Sequence, residues 1–122
     1  MEQVCCFHDS CIKELKYISG AYVNNELSMY PINKARTLKL IIQRQYDNPS
    51  MIELQFEELK FMKLFPAEAE YTCEIQGATI IIFDGYIYWG DSYELSEKDI
   101  KDYDGTLICA KMLRWRAIDG CM

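Results

Sequence analysis

The chain has 122 residues, half of them hydrophobic and 26% charged, with 13 Lys and Arg against 19 Asp and Glu for a formal net charge of −6. That size suits one domain over residues 1–122, with a core that needs no staples. The composition excludes a disordered tail, a collagen-like repeat and a coiled coil, and the acidic total argues against a non-specific nucleic-acid binder, which needs Lys and Arg to displace phosphate counterions.

The start, Met1 to His8, has no basic segment followed by an apolar one, so no secretory leader is expected. No run reaches the ~18 apolar residues of a membrane helix. Six cysteines (Cys5, Cys6, Cys11, Cys73, Cys109 and Cys121) lack both a secretory signal and a useful spacing. They read as reduced thiols of a cytoplasmic protein, without disulfides.

The hydrophobic period is mainly two, the mark of strands. In Lys13 to Tyr17, Leu15 and Tyr17 share a face. Asn24-Asn25 is a turn candidate before Glu26 to Tyr30, with Leu27 and Met29 on one side. The first long strand is Arg36 to Tyr46, in which Leu38, Leu40 and Ile42 oppose Lys39, Gln43 and Gln45. Asp47-Asn48-Pro49-Ser50 is a turn. Met51 to Phe56 alternates cleanly, the spacing shifts at Glu57-Glu58 as a β-bulge or bend would require, and Leu59 to Phe65 resumes the strand. After the connector Ala67 to Glu70, Tyr71 to Ile75 alternates again.

Asp84-Gly85 between Thr79 to Phe83 and Tyr86 to Trp89 is the strongest hairpin signal in the chain, because glycine supplies the positive φ of a tight turn. One short helix is expected over Glu97 to Tyr103, with Ser96 as N-cap, Asp99 completing a capping box and Gly105 beyond its end. Thr106 to Ile118 reads as a long strand with Leu107, Cys109, Leu113, Trp115 and Ala117 on one face. These elements make an all-β, mainly antiparallel domain: a meander, an open barrel or a two-layer sandwich, with one short helix near residues 97–103.

Chemistry is sparse. Phe7-His8-Asp9-Ser10-Cys11-Ile12 holds the single histidine beside an Asp and a Ser. Successive residues of an extended chain point to opposite sides, so they cannot form a relay, and no catalytic residue is assigned. Cys5, Cys6, His8 and Cys11 are ligand types for zinc, but no Cys-x-x-Cys knuckle supports a metal, and neither metal nor cofactor is expected. A turn anchored by Phe7 and Ile12 suits the segment better. Glu53 and Glu57 read as the solvent face of a strand, and Tyr86, Tyr88 and Trp89 as packed aromatics or, alternatively, ligand contacts.

Charge is unevenly placed. Residues 53–74 and 91–104 each hold six acids and two bases, net −4, whereas 34–44 holds four bases and no acid. An acidic face can steer a basic partner. Asp91, Glu94, Asp99 and Asp102 are therefore candidate protein contacts.

The Phe7-His8-Asp9-Ser10-x-Ile12 segment, followed by Leu27-x-Met29, Leu38-x-Leu40 and Ile52-x-Leu54-x-Phe56-x-x-Leu59, resembles small bacterial β-rich proteins, some of them similar to immunity proteins of toxin systems. The resemblance covers about the first half of the chain and implies no catalytic residue. The expectation is a non-enzymatic protein-binding module, with toxin neutralisation as its narrower version. The alternatives are a homo-oligomeric β module using an edge such as Thr106 to Ile118, or a small-ligand or metal-binding protein.

Overall fold

The computed structural model describes residues 10–44, 50–66, 74–75, 77–92 and 95–118. Nine strands are present among them. They are β1 (Ser10–Ile18), β2 (Tyr22–Val23), β3 (Met29–Tyr30), β4 (Thr37–Arg44), β5 (Met51–Lys63), β6 (Glu74–Ile75), β7 (Thr79–Phe83), β8 (Tyr86–Gly90) and β9 (Leu107–Ala117). A 3₁₀ helix, Glu97–Asp102, lies between β8 and β9.

Seven strands form one antiparallel sheet in the order β6-β1-β4-β5-β9-β8-β7, and β2 and β3 form a separate pair. The large sheet is a four-stranded unit, β6-β1-β4-β5, and a three-stranded unit, β9-β8-β7, joined along β5 and β9. Its outer strands cannot be far apart. A flat seven-stranded sheet would separate them by about 29 Å, at ~4.8 Å per step. Ile75 ends β6 and Thr79 begins β7, and four residue steps of chain reach at most about 14 Å. The sheet therefore curls back on itself as one continuous sheet, in the manner of an open barrel.

The concave side holds the core. Leu38, Leu40 and Ile42 of β4 meet Ile52, Leu54, Phe56 and Leu59 of β5, Trp89 of β8, and Ile108 and Ala110 of β9. Burial alternates without a break along β4, as its sequence requires. β1 brings both Ile12 and Leu15 to this core. Their odd spacing is absorbed by a register shift between Ile12 and Glu14.

The irregularity expected at Glu57-Glu58 is present. Glu58 has φ +53°, and Leu59 donates its N–H to the carbonyl of Arg36 at 2.9 Å. Phe56 and Leu59 thus face the same core across three positions. β5 continues as one strand to Lys63, with a register shift against β9 between Leu59 and Phe61. β9 does not keep one face, contrary to the pattern of its apolar residues. Leu107 and Cys109 face an outer cluster, Ile108 and Ala110 the barrel, and Leu113 packs on the barrel core again. The change follows from pairing with the irregular stretch of β5.

The Asp84-Gly85 hairpin forms as expected. Phe83 pairs with Tyr86, and Asp84 and Gly85 both have positive φ, +54° and +81°. Ser96 and Asp99 form the expected capping box on a 3₁₀ helix, and the chain leaves it extended at Tyr103, before Gly105. Asp47 to Pro49, Gln45 and Tyr71 to Cys73 lie outside the described residues. Ser50 closes the β4–β5 connection: its carbonyl accepts the N–H of Arg44 at 2.7 Å, and its hydroxyl donates to the Arg44 carbonyl at 3.1 Å.

Phe56→Ala is expected to destabilise the domain by about 3–5 kcal/mol. Gly85→Ala, where an added Cβ meets nothing within 4 Å, should cost about 1–2 kcal/mol through its positive φ alone. Urea unfolding of the two variants measures both, and equal costs would contradict this division between packing and backbone.

Candidate functional site

Two of the four acids, Asp91 and Asp99, are committed within the chain. Ser96 gives Asp99 both its N–H, at 3.0 Å, and its hydroxyl, at 2.8 Å. The first of these bonds is the main reason that the Asp99 carboxyl titrates below the usual range. Asp91 is half-buried and accepts the hydroxyl proton of Tyr103. Asp102 is exposed on the 3₁₀ helix, and Glu94 lies outside the described residues. The helix acts as a cover: Leu95, Ile100 and Tyr103 pack over Tyr88, Leu107 and Cys109 on the convex side of the sheet. A shallow acidic depression of about 390 Å³ beside it is lined by Asp99, Asp102, Asp104 and Lys98.

The aromatic set divides between two faces. Trp89 is fully buried in the barrel core, and Tyr88 is buried on the other side in the outer cluster. Neither can meet a ligand where it stands. Tyr86 is half-buried, with the ammonium groups of Lys60 and Lys111 at 4.4 and 4.7 Å from its ring centroid.

Of the N-terminal motif, Ser10 opens β1 and is buried, and Ile12 packs on the core as expected. Phe7, His8 and Asp9 lie outside the described residues, as do Cys5 and Cys6, whereas Cys11 is a free thiol in β1. Glu53 departs from expectation. It is on the convex face, yet only 6% exposed, and its carboxylate accepts from Arg116 Nε at 2.9 Å. Glu57 pairs with Arg114 and accepts from its Nη2 at 3.3 Å. The acids of β5 thus face the bases of β9, because the ladder places Glu53 opposite Arg116.

Two features emerge that the sequence pattern does not reveal. The first is an arm between β1 and β4. Gly20 (φ +91°) packs against Ala35, where a Cβ would sit 3.0 Å from the Ala35 nitrogen, and Ala35 donates its N–H to the Ser19 carbonyl at 3.0 Å. Beyond this neck, Tyr22 and Tyr30 stack at 5.0 Å across the β2–β3 pair. The Asn24 carboxamide oxygen accepts the N–H groups of Glu26 and Ser28, holding the turn. The expected Glu26 to Tyr30 strand is therefore mostly turn: Leu27 has φ +66°, and only Met29–Tyr30 pairs. Tyr22, Val23, Leu27, Met29, Tyr30 and Ile32 are all exposed, Leu27 at 85% and Met29 at 69%.

The second feature is a cleft of about 360 Å³ at the base of this arm, lined by Tyr17, Asn33, Arg36, Glu58, Lys60, Tyr86 and Lys111, with Leu59 at its floor. Its residues come from β1, the end of the arm, β5, β8 and β9. No spacing in the sequence joins them.

The expected edge strand needs revision. Leu107 to Ala110 of β9 lie between β5 and β8, so they are interior. From Met112 to Ala117, β5 is the one paired neighbour among the described residues. Among the described residues no group of three or more His, Cys, Asp or Glu could hold a metal ion, and no helix is long and apolar enough to cross a membrane. Comparison with protein-family models, curated proteins and solved structures finds no match to this chain.

Burial, then a hydrogen bond with the Cys109 thiol, pushes the Tyr88 hydroxyl from 10.0 up to about 12. Burial also pushes the Cys109 thiol up, against smaller opposing effects of Tyr88 and Lys60. Two results are expected. Iodoacetamide at mildly alkaline pH should leave Cys109 unlabelled in the folded protein and label it after unfolding, read by peptide mass. Below pH 10 the Tyr88 phenol is protonated in both folded and unfolded chains. As pH rises from 10 towards about 12 the unfolded chain releases this proton first, so stability should fall through that window. Urea midpoints across the window measure the slope, and a midpoint that rises there would contradict the assignment.

Proposed function

We propose that the protein is a non-enzymatic protein-binding module whose docking element is the arm from Ser19 to Arg36. One observation carries this reading: six large apolar side chains are exposed on an excursion of the chain that adds nothing to either hydrophobic cluster among the described residues. Exposed apolar groups scattered singly need no explanation, but a contiguous set on one projection does. The arm is also built to hold its shape, with a pinched neck, a stacked tyrosine pair and an Asn24-bonded turn. A preformed element loses less entropy on binding than a disordered one.

The partner that fits is a protein with an apolar surface bordered by acids, because Arg36, Lys60 and Lys111 line the cleft at the base of the arm. This moves the proposed contact from the acidic set to the arm. Asp91 and Asp99 are committed to Tyr103 and Ser96, whereas Asp102 remains exposed. The narrower version, neutralisation of a toxin, is supported by the resemblance of the Phe7-His8-Asp9-Ser10-x-Ile12 segment alone. Homo-oligomerisation is a second reading, favoured by the open side of β9 from Met112 to Ala117. Arg114 and Arg116 along that stretch oppose it, since charges guard an edge against self-pairing.

Affinity capture from the native host should return a partner with the unaltered chain and lose it with Leu27→Asp/Met29→Asp, because two charges would enter the apolar contact. Asp99→Lys/Asp102→Lys should leave capture unchanged. Loss only in the second variant would return the contact to the acidic face. Light scattering that shows a concentration-dependent dimer, abolished by the arm variant, would make the second copy the partner instead.

A further inference from the structure

The cleft at the base of the arm has a charge arrangement that packing alone does not explain. Lys60 and Lys111 bring two ammonium groups within 5 Å of the centroid of one ring, Tyr86. Arg36 lines the same cleft. Among the described residues none of these three cations has an ion-pair partner, and Glu58 is the single acid in the lining. The cleft thus concentrates positive charge on a chain whose formal net charge is −6. Like charges brought together raise the energy of the folded state, and an anion between them removes that cost.

The backbone around the cleft is held in an unusual form. Arg36 (φ +38°) and Glu58 (φ +53°) both adopt positive φ without being glycine. They are tied together by the Leu59 N–H on the Arg36 carbonyl. Conformations of this kind cost free energy and collect at ligand sites, where they aim side chains. Here they aim a guanidinium into a cleft that already has two ammonium groups. Asn33 adds a side-chain amide, and Tyr17, exposed at the rim, adds an aromatic surface. The volume of about 360 Å³ is in the range of small-molecule sites.

We propose that this cleft binds the phosphate group of a small phosphorylated molecule. The two lysines and Arg36 supply the charge for a dianion, and Arg36 can also bond two of its oxygens. The Tyr17 ring is placed to take an apolar or flat substituent. The inference rests on the cleft's cations, which the acids of the proposed partner would also meet, and not on the arm's exposed apolar residues, so Leu27→Asp/Met29→Asp can abolish docking while phosphate binding is unchanged.

The test is isothermal titration of the full chain at fixed ionic strength with inorganic phosphate, phenyl phosphate and, as a singly charged control, benzoate. Saturable binding of both phosphates is expected, with benzoate at least about tenfold weaker and Lys60→Gln/Lys111→Gln weakening the phosphates by about tenfold or more. Lys98→Gln, in the acidic depression on the other side of the 3₁₀ helix cover, should change nothing. Tighter binding of phenyl phosphate assigns the site to an ester, and equal binding to the free anion. Absence of saturable binding in the millimolar range overturns the proposal. So does a folded double variant, checked by circular dichroism, that retains the affinity of the unaltered chain.

Discussion

The pairing of β5 with β9 is the contact on which the rest of the structure depends. It joins β6-β1-β4-β5 to β9-β8-β7, and the core cluster draws its side chains from both units. Along this ladder Phe56 meets Leu113 on the core side, while on the convex side Glu53 meets Arg116. Apolar burial inside and charge pairing outside therefore fix the same register, and a slip of one residue would reverse both at once. Between Glu57 and Phe61 the ladder is irregular. That irregularity lets the sheet bend enough for its outer strands to come within the reach of a short chain segment.

The same irregularity shapes the surface. At the shift after Leu59, next to the positive φ of Glu58, Lys60 reaches the Tyr86 ring that Lys111 also approaches. The tie from Leu59 to Arg36 anchors the end of the arm at the same point. One local departure from regular pairing therefore lies where the sheet curls, where the arm is anchored and where the cations of the cleft gather. The convex side of β8 and β9 is handled differently: the 3₁₀ helix and its flanks cover Tyr88, Leu107 and Cys109. In doing so they draw Asp91 and Asp99 into hydrogen bonds that stabilise the cover. Exposed apolar surface is thus removed over one part of the sheet and retained on the arm.

Strand assignment was legible wherever one face is buried and the other wet. β4 and the first half of β5 alternate in sequence and alternate in burial, and Asp84-Gly85 names its turn through backbone sterics alone. The capping box at Ser96 is equally local. β9 departs from its sequence pattern because its facing is set by a neighbour with an extra residue, so Leu107 and Leu113 lie on different sides despite equivalent spacing. The acids of β5 read as solvated because an ion pair across a ladder depends on register, which a single strand does not display.

By itself, the sequence determined an all-β chain with a hydrophobic period of two, a tight hairpin, a capped short helix and an irregularity at Glu57-Glu58. Each follows from interactions between residues a few positions apart, through side-chain alternation, backbone φ and local hydrogen bonds. Only the tertiary structure decided that Trp89 and Tyr88 face opposite sides, that Leu27 and Met29 stand in the open, and that Tyr17, Arg36, Lys60, Tyr86 and Lys111 share a cleft. Those placements depend on strand order and on the bend of the sheet, which arise from contacts between residues far apart in the chain.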